Sequence, residues 1–237
     1  MSFDAERLAN TALRGLRAYD PGHDLPALRR RFGAQLAELG SNENPLGPSP
    51  QALDAARVAL QQAHRYPDPR GSDLRAALAA HHRVDGQRIV LGNGSHELLI
   101  LLAQCFAGPQ QAVMFSQYSF AVFALAAAGV AAPTEIVPAL PRSDPGAPLG
   151  HDLSAMADAL HDGVRLVYLA NPNNPTGTWF DGAALQRFLA RVPQDTLVVL
   201  DEAYAEYMDA PGLTSALRFS EAFPNLWDVP SRPMPDG

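Results

Sequence analysis

Four short words in this sequence hold side chains able to do chemistry together. "GNGSHE" at 92–97 sets glycines before Ser95 and His96, where an apolar run begins. Glycine permits a tight turn, and the free amides of a helix that follows then point at an anion; a strand-to-helix turn without a ligand has the same composition. "FSQYSF" at 115–120 offers Tyr118 to stack on a flat ring, or simply as a rim aromatic. "NPNNPTG" at 171–177 crowds amide donors, prolines and a glycine around Asn174, and the cis form is open to the bond before Pro175. The same residues are turn formers, but their density is high for a spacer. "VVLDEAYAEY" ends an apolar run on Asp201. A carboxylate buried there is costly without a cation, so Asp201 is suited to face a protonated group, with capping of the next segment as the alternative. Tyr204, three residues on, is placed to share its side.

The elements that must position these words follow from periodicity. "QAVMF", "TEIVPAL", "VRLVYLA" and "TLVVLD" are short apolar runs, separated by helical stretches near 119–129, 153–161 and 182–192. "RIVLGNG" reads as a further short strand, and Ser95 opens the long helix "HELLILLAQCF". "PQALDAARVALQQAH" puts Leu53, Ala56, Ala59 and Leu60 on one helical face, and "GSDLRAALAAHH" is a helix with Ser72 as expected N-cap. Continuous apolar strands alternating with helices predict an α/β fold, a mostly parallel sheet with helices on both faces. In such sheets ligands sit at the carboxyl ends of the strands, where all four words fall.

Composition narrows the partners. The chain has 237 residues and a formal net charge of −7, and all 18 of its basic residues are arginines. No basic stripe suits nucleic acid or an anionic membrane. The N-terminus lacks a signal core and no apolar run reaches spanning length, so a cytoplasmic protein is expected. The single cysteine, Cys105, is expected to be a buried helix residue. No metal site is expected.

Taken together, a phosphate seat, a ring stacker, a hydroxyl donor and an acid for a ring nitrogen fit pyridoxal 5′-phosphate. The words "SNENPLGPSP", "RYPDPRGSDLRAALA", "GNGSHELL", "NPNNPTG" and "DEAYAEY", in this order, make the chain resemble fold-type I pyridoxal-phosphate aminotransferases, and most of all histidinol-phosphate aminotransferases. The resemblance implies that Ser95 and His96 contact the phosphate, although the family often has Asp where His96 stands. It implies that Tyr118 stacks on the pyridine ring, that Asn174 and Tyr204 bond its hydroxyl, and that Asp201 pairs with its nitrogen. Tyr66 would reach the phosphate of the other subunit of a homodimer, and Asn44 would lie near the substrate entrance. The implied partners are a small-molecule amino donor and a 2-oxo acid, namely histidinol phosphate (or a related amine) and 2-oxoglutarate.

The sequence departs from that family in one decisive way. It contains no lysine, and the family's Schiff-base lysine, in a Ser-Lys pair beyond "DEAY", has no counterpart. Arginine stays protonated and cannot replace it. No catalytic residue is therefore assigned. The expected organisation is an N-terminal arm and entrance loop over 1–49, a partial large domain over 50–226 that is incomplete at its C-terminus, and a tail over 227–237 unlike the family, with the small domain absent. Pro230, Pro233 and Pro235 in "WDVPSRPMPDG" are unfit for a central strand, and a frameshift after Leu226 or a genuine truncation would explain them. A marginally stable product is expected. The readings that stand are an aminotransferase by ancestry, a non-catalytic remnant or weak cofactor binder, and another class I/II aminotransferase or decarboxylase with a different substrate.

Overall fold

The computed structural model describes residues 11–14, 24–210, 212 and 214–230. The chain divides into two compact units, which among these residues comprise 24–91 and, separately, 11–14 with 92–230. Much of the expected N-terminal arm, residues 1–10 and 15–23, lies outside the described residues, as do Pro233 and Pro235.

The unit over 24–91 is helical. Helix α1 (Leu25–Phe32) is capped by Asp24, whose carboxylate accepts from Ala27 N at 2.9 Å. Helix α2 (Pro50–Leu60) starts with proline at its first position, where the missing N–H costs nothing. The face holding Leu53, Ala56, Ala59 and Leu60 is exposed, as is every other residue of α2. Helix α3 (Ser72–His82) begins one residue before the expected place, so Ser72 is its first helical residue rather than its cap. Asp68 does the capping, its two oxygens accepting from Arg70 N at 3.0 Å and Ser72 N at 2.7 Å. The Ser72 hydroxyl first, and then those two amides, hold the Asp68 carboxyl down at about 2. Gly71 precedes the helix at φ +53°, a conformation that favours glycine, and a Cβ there would push aside the tip of the Leu91 side chain, whose Cδ1 lies at 2.5 Å. The strand expected in "RIVLGNG" does not form. Gly86–Arg88 is a 3₁₀ turn, and the extended residues after it pair with no strand among the described residues.

The other unit is a five-stranded, wholly parallel sheet. Helix α4 (Ser95–Phe106) leads to β1 (Ala112–Ser116), then α5 (Ala121–Gly129) and β2 (Thr134–Val137). Helix α6 (Leu153–Asp158), β3 (Val164–Ala170), α7 (Gly182–Leu189), β4 (Leu197–Asp201) and β5 (Leu226–Val229) follow. The strand order is β2-β1-β3-β4-β5, so the chain goes outward from β1 to β2 and then crosses back to β3. The direction of winding reverses between β1 and β3, which is where open parallel sheets leave a crevice for ligands.

Side chains alternate between two cores. Val113, Phe115, Leu166, Tyr168, Leu197 and Val199 meet Leu99, Ala103 and Phe123 of α4 and α5. Met114, Val167, Leu169, Val198 and Leu200 meet Met156 of α6 and Leu185, Phe188 of α7. Burial on both faces is why β1 and β4 read as unbroken apolar runs. β5 differs from the expectation for this stretch: Trp227–Val229 continue from Leu226 as a strand paired with β4, from Val198↔Leu226 to Asp201↔Val229. It lies at the sheet's edge and stops at Pro230, the place a proline tolerates. Cys105 is exposed on α4, not buried. Among the described residues no helix is long and apolar enough to cross a membrane, and no cluster of three metal-binding side chains occurs.

Candidate functional site

The ends of β1, β3 and β4 come together through one backbone bond and one side-chain bond. Asn171 N donates to Asp201 O at 2.9 Å, so the residue after β3 is tied to the last residue of β4. The Asn173 side chain donates to Tyr118 O at 2.7 Å, which ties the loop after β3 to the loop after β1. Phe120 in that second loop stands edge-on to His96, with ring centroids 6.5 Å apart, at the start of α4. Ser95, His96, Tyr118, Asn174 and Asp201 are thus carried on one connected rim at the carboxyl ends of the strands.

Each part has a local cause. Gly94 precedes α4 at φ +81° with open space around it, which leaves the first amides of the helix uncovered by a side-chain cap. Ser95 is half-buried and His96 exposed at the first turn of the helix. Helix α4 is held to the sheet by Tyr168, whose buried hydroxyl donates to Leu99 O at 2.5 Å. The Tyr168 ring stacks on Phe123 at 4.7 Å and 11°. Burial pushes that hydroxyl well above the ordinary tyrosine range, so it remains a donor at any physiological pH.

The loop after β3 is built like a small hairpin. Both peptide bonds Asn171–Pro172 and Asn174–Pro175 are cis. The Asn171 side chain brackets Phe180, with Nδ2 donating to Phe180 O and Oδ1 accepting from Phe180 N, each at 3.0 Å. Inside that bracket, Asn173 N donates to Thr178 O and Gly177 N to Asn173 O, both at 2.8 Å. Asn173 Nδ2 also reaches Thr176 Oγ1 at 2.7 Å, and Gly177 takes φ +68°. Asn174 remains half-buried at the tip, with its side-chain amide outside this network. Tyr118 is 39% exposed, which suits a ring that stacks on a ligand.

The acid that ends β4 and the acid that follows it have separate work. Glu202 is buried and turned away, its oxygens accepting from Ser215 Oγ at 2.9 Å and Ala216 N at 3.0 Å. Asp201 is only 5% exposed and accepts from Ala203 N at 3.1 Å. Strand alternation sends it to the same sheet face as Leu197 and Val199, which is the face covered by α4. Burial, with a smaller push from the Glu202 charge, raises the Asp201 carboxyl to about 6. Among the described residues no cation pairs with it. A carboxylate so placed is fitted to a protonated ring nitrogen, which would restore its ionised form. Its role as a helix cap does not apply: a 3₁₀ turn, Ala205–Tyr207, begins after Tyr204, and Tyr204 itself is half-buried.

Tyr66 and Asn44 belong to the unit over 24–91. Tyr66 is fully exposed. Asn44 is exposed, and its Oδ1 accepts from Leu46 N at 3.0 Å, forming a turn. Three structural residues of the rim carried no distinctive sequence signal. They are Tyr168, Asn171 as a bracket, and buried His151, which accepts from Ala170 N at 3.3 Å. Their partners are backbone groups 9, 19 and 69 residues away along the chain, which side-chain type alone does not reveal.

Known proteins resemble this chain in sequence and in fold. The family profile "Aminotransferase class I and II" matches residues 34–225. Histidinol-phosphate aminotransferase 2 of Pseudomonas fluorescens (strain Pf0-1) is 44% identical over 229 residues, covering 95% of this chain and 60% of that protein. Histidinol-phosphate aminotransferase 1 of Nitrosococcus oceani is 43% identical over 221 residues, covering 93% of this chain and 58% of that one. Among solved structures, histidinol-phosphate aminotransferase from Sinorhizobium meliloti in complex with pyridoxal-5′-phosphate superposes with a TM-score of 0.80 at 29% identity. That match covers 94% of this chain and 58% of the other. The chain therefore spans about 60% of the length of the curated relatives it matches. On this sequence match, with the parallel sheet and the rim it carries, the chain belongs to the class I and II aminotransferase family, with histidinol-phosphate aminotransferases as its relatives.

Proposed function

We propose that the rim holds pyridoxal 5′-phosphate and that the chain is the cofactor-holding part of an aminotransferase of histidinol-phosphate type. The reaction of that type moves an amino group between L-histidinol phosphate and 2-oxoglutarate. The observation that carries the proposal is Asp201: a buried acid, raised to about 6, at the end of β4, next to β3 and so one strand from the switch in winding. When bound, the cofactor supplies a protonated pyridine ring that accepts electron density from the substrate's α-carbon.

The chain's own residues then have defined tasks. Asp201 holds the proton at the ring nitrogen. Asn174 and Tyr204 bond the ring hydroxyl, and Tyr118 covers the ring face. Ser95, His96 and the first amides of α4 take the phosphate, supported by the positive end of the helix. Tyr66 is assigned to the phosphate of a partner subunit in a homodimer, and Asn44 to the substrate entrance. With no lysine in its 237 residues, this chain binds the cofactor without a covalent side-chain anchor and does not turn over by itself.

Titrating the purified chain with pyridoxal 5′-phosphate, followed by quenching of protein fluorescence, tests this reading. Saturable binding is expected, weakened about tenfold or more in Asp201→Ala, since a hydrogen bond to a charged group is worth about 1.5–3 kcal/mol. Borohydride trapping followed by peptide mapping should label nothing except the N-terminal amine. Absence of saturable binding at millimolar cofactor, an unaffected Asp201→Ala variant, or transamination of histidinol phosphate by this chain alone would each overturn it.

A further inference from the structure

The reversal of winding between β1 and β3 leaves a backbone donor that no strand can satisfy. In a parallel sheet, successive N–H groups point to opposite neighbours. Asn171 N donates to Asp201 O on the β4 side, so Ala170 N–H faces the β1 side. There, pairing of β3 with β1 runs only to Met114↔Val167. The last residue of β1, Ser116, has its carbonyl engaged by Ser119 Oγ at 2.7 Å as the chain turns toward Tyr118. Ala170 N–H instead meets Nε2 of His151 at 3.3 Å. His151 is 7% exposed, lies against Phe180 with ring centroids 6.1 Å apart, and so touches both ends of the loop that Asn171 brackets.

The tautomer follows. An imidazole that accepts at Nε2 carries its hydrogen on Nδ1. Burial keeps the ring neutral, lowering its pKa to about 4, so the acceptor persists at neutral pH. Nδ1 itself is buried and has no hydrogen-bond partner. Replacing His151 by leucine would exchange one unsatisfied buried donor, Nδ1–H, for another, Ala170 N–H. Global stability should therefore change little, which makes the residue hard to explain as a device for stability alone.

We infer that His151 is a positioning residue: its imidazole takes the place of a β1 carbonyl at the end of β3 and fixes the direction in which the Asn171–Phe180 loop leaves the sheet. Through that loop it sets the place of Asn173, which tethers Tyr118, and of Asn174 beside it. The consequence for ligand binding rests on the cofactor reading above. The consequence for the loop does not.

The test compares the chain with His151→Leu, His151→Met and His151→Gln, of which only the last restores a strong acceptor at the reach of Nε2, the methionine thioether being a weak one. Amide exchange at Asn173 and Gly177, whose hydrogen bonds close the loop, should accelerate about tenfold in the leucine and methionine variants. Exchange at Val199 in β4 should be unchanged, and the glutamine variant should stay within about threefold of the parent. Pyridoxal 5′-phosphate affinity should fall with loop protection and recover with glutamine. Equal loop exchange in all four proteins, or glutamine behaving like leucine, would overturn the inference. Failure of the parent chain to bind the cofactor would count against the proposed function, while the exchange rates would still decide the role of His151.

Discussion

Asp201 is the residue at which function and stability pull apart. Its carboxyl is raised from 3.8 to about 6 by burial, so the folded chain holds a proton there more tightly than the unfolded chain does. Folding is then linked to pH with a definite sign. Below the unfolded value Asp201 costs nothing. Through the interval up to about 6 the folded state loses stability as pH rises, and above it the full penalty remains. A shift of this size corresponds to on the order of 2–3 kcal/mol. The Asp201→Asn variant is therefore expected to be more stable than the parent at pH 7 in urea unfolding, by about 1–3 kcal/mol, and to lack the parent's gain in stability between pH 6 and 4. The same variant should bind the cofactor more weakly. If the parent and Asp201→Asn unfold identically at pH 7, the acid is not under the strain inferred for it. Asp68 behaves oppositely: its carboxyl, held at about 2 by donors at the start of α3, favours folding once ionised.

At the scale of elements, the same physics explains what the sequence disclosed and what it hid. β3 and β4 were legible, since "VRLVYLA" and "TLVVLD" are apolar throughout and a sheet covered on both faces asks for that. The strand-end words were legible too, because Asp201, Asn174 and Tyr118 are unusual neighbours for apolar runs. The expected strand in "RIVLGNG" failed because three apolar residues in a row do not supply a partner to pair with. β5 ran against its prolines because Pro230 sits just past the last paired residue. The anchoring of α4 was invisible, since Tyr168 looks like any aromatic in a strand until its hydroxyl is seen on Leu99 O. Tyr168→Phe keeps the stacked ring and removes that bond. It should cost about 1 kcal/mol in denaturant unfolding, with faster amide exchange confined to the first turns of α4. A loss spread evenly over the sheet would mean that the tyrosine acts by packing alone.

Across the whole molecule, protection is distributed unevenly between the units. β1 and β4 are buried at every position, and β3 at all but Arg165. Helix α2 exposes every residue and contributes no buried side chain. Short helices without a packed face are marginal in water. Amides of Pro50–Leu60 that can exchange should do so within minutes at neutral pH, whereas Val167, Tyr168, Val199 and Leu200 should exchange only through opening of the sheet. Slow exchange in α2 would show that something shelters it. The Asn171 bracket has another kind of consequence. Because one side chain ties Phe180 at both backbone atoms, the eight intervening residues form a closed cassette whose ends are fixed whatever lies between them. β3 and α7 are thereby insulated from changes at the loop tip. A protein built this way can exchange the contents of the loop while leaving the sheet undisturbed.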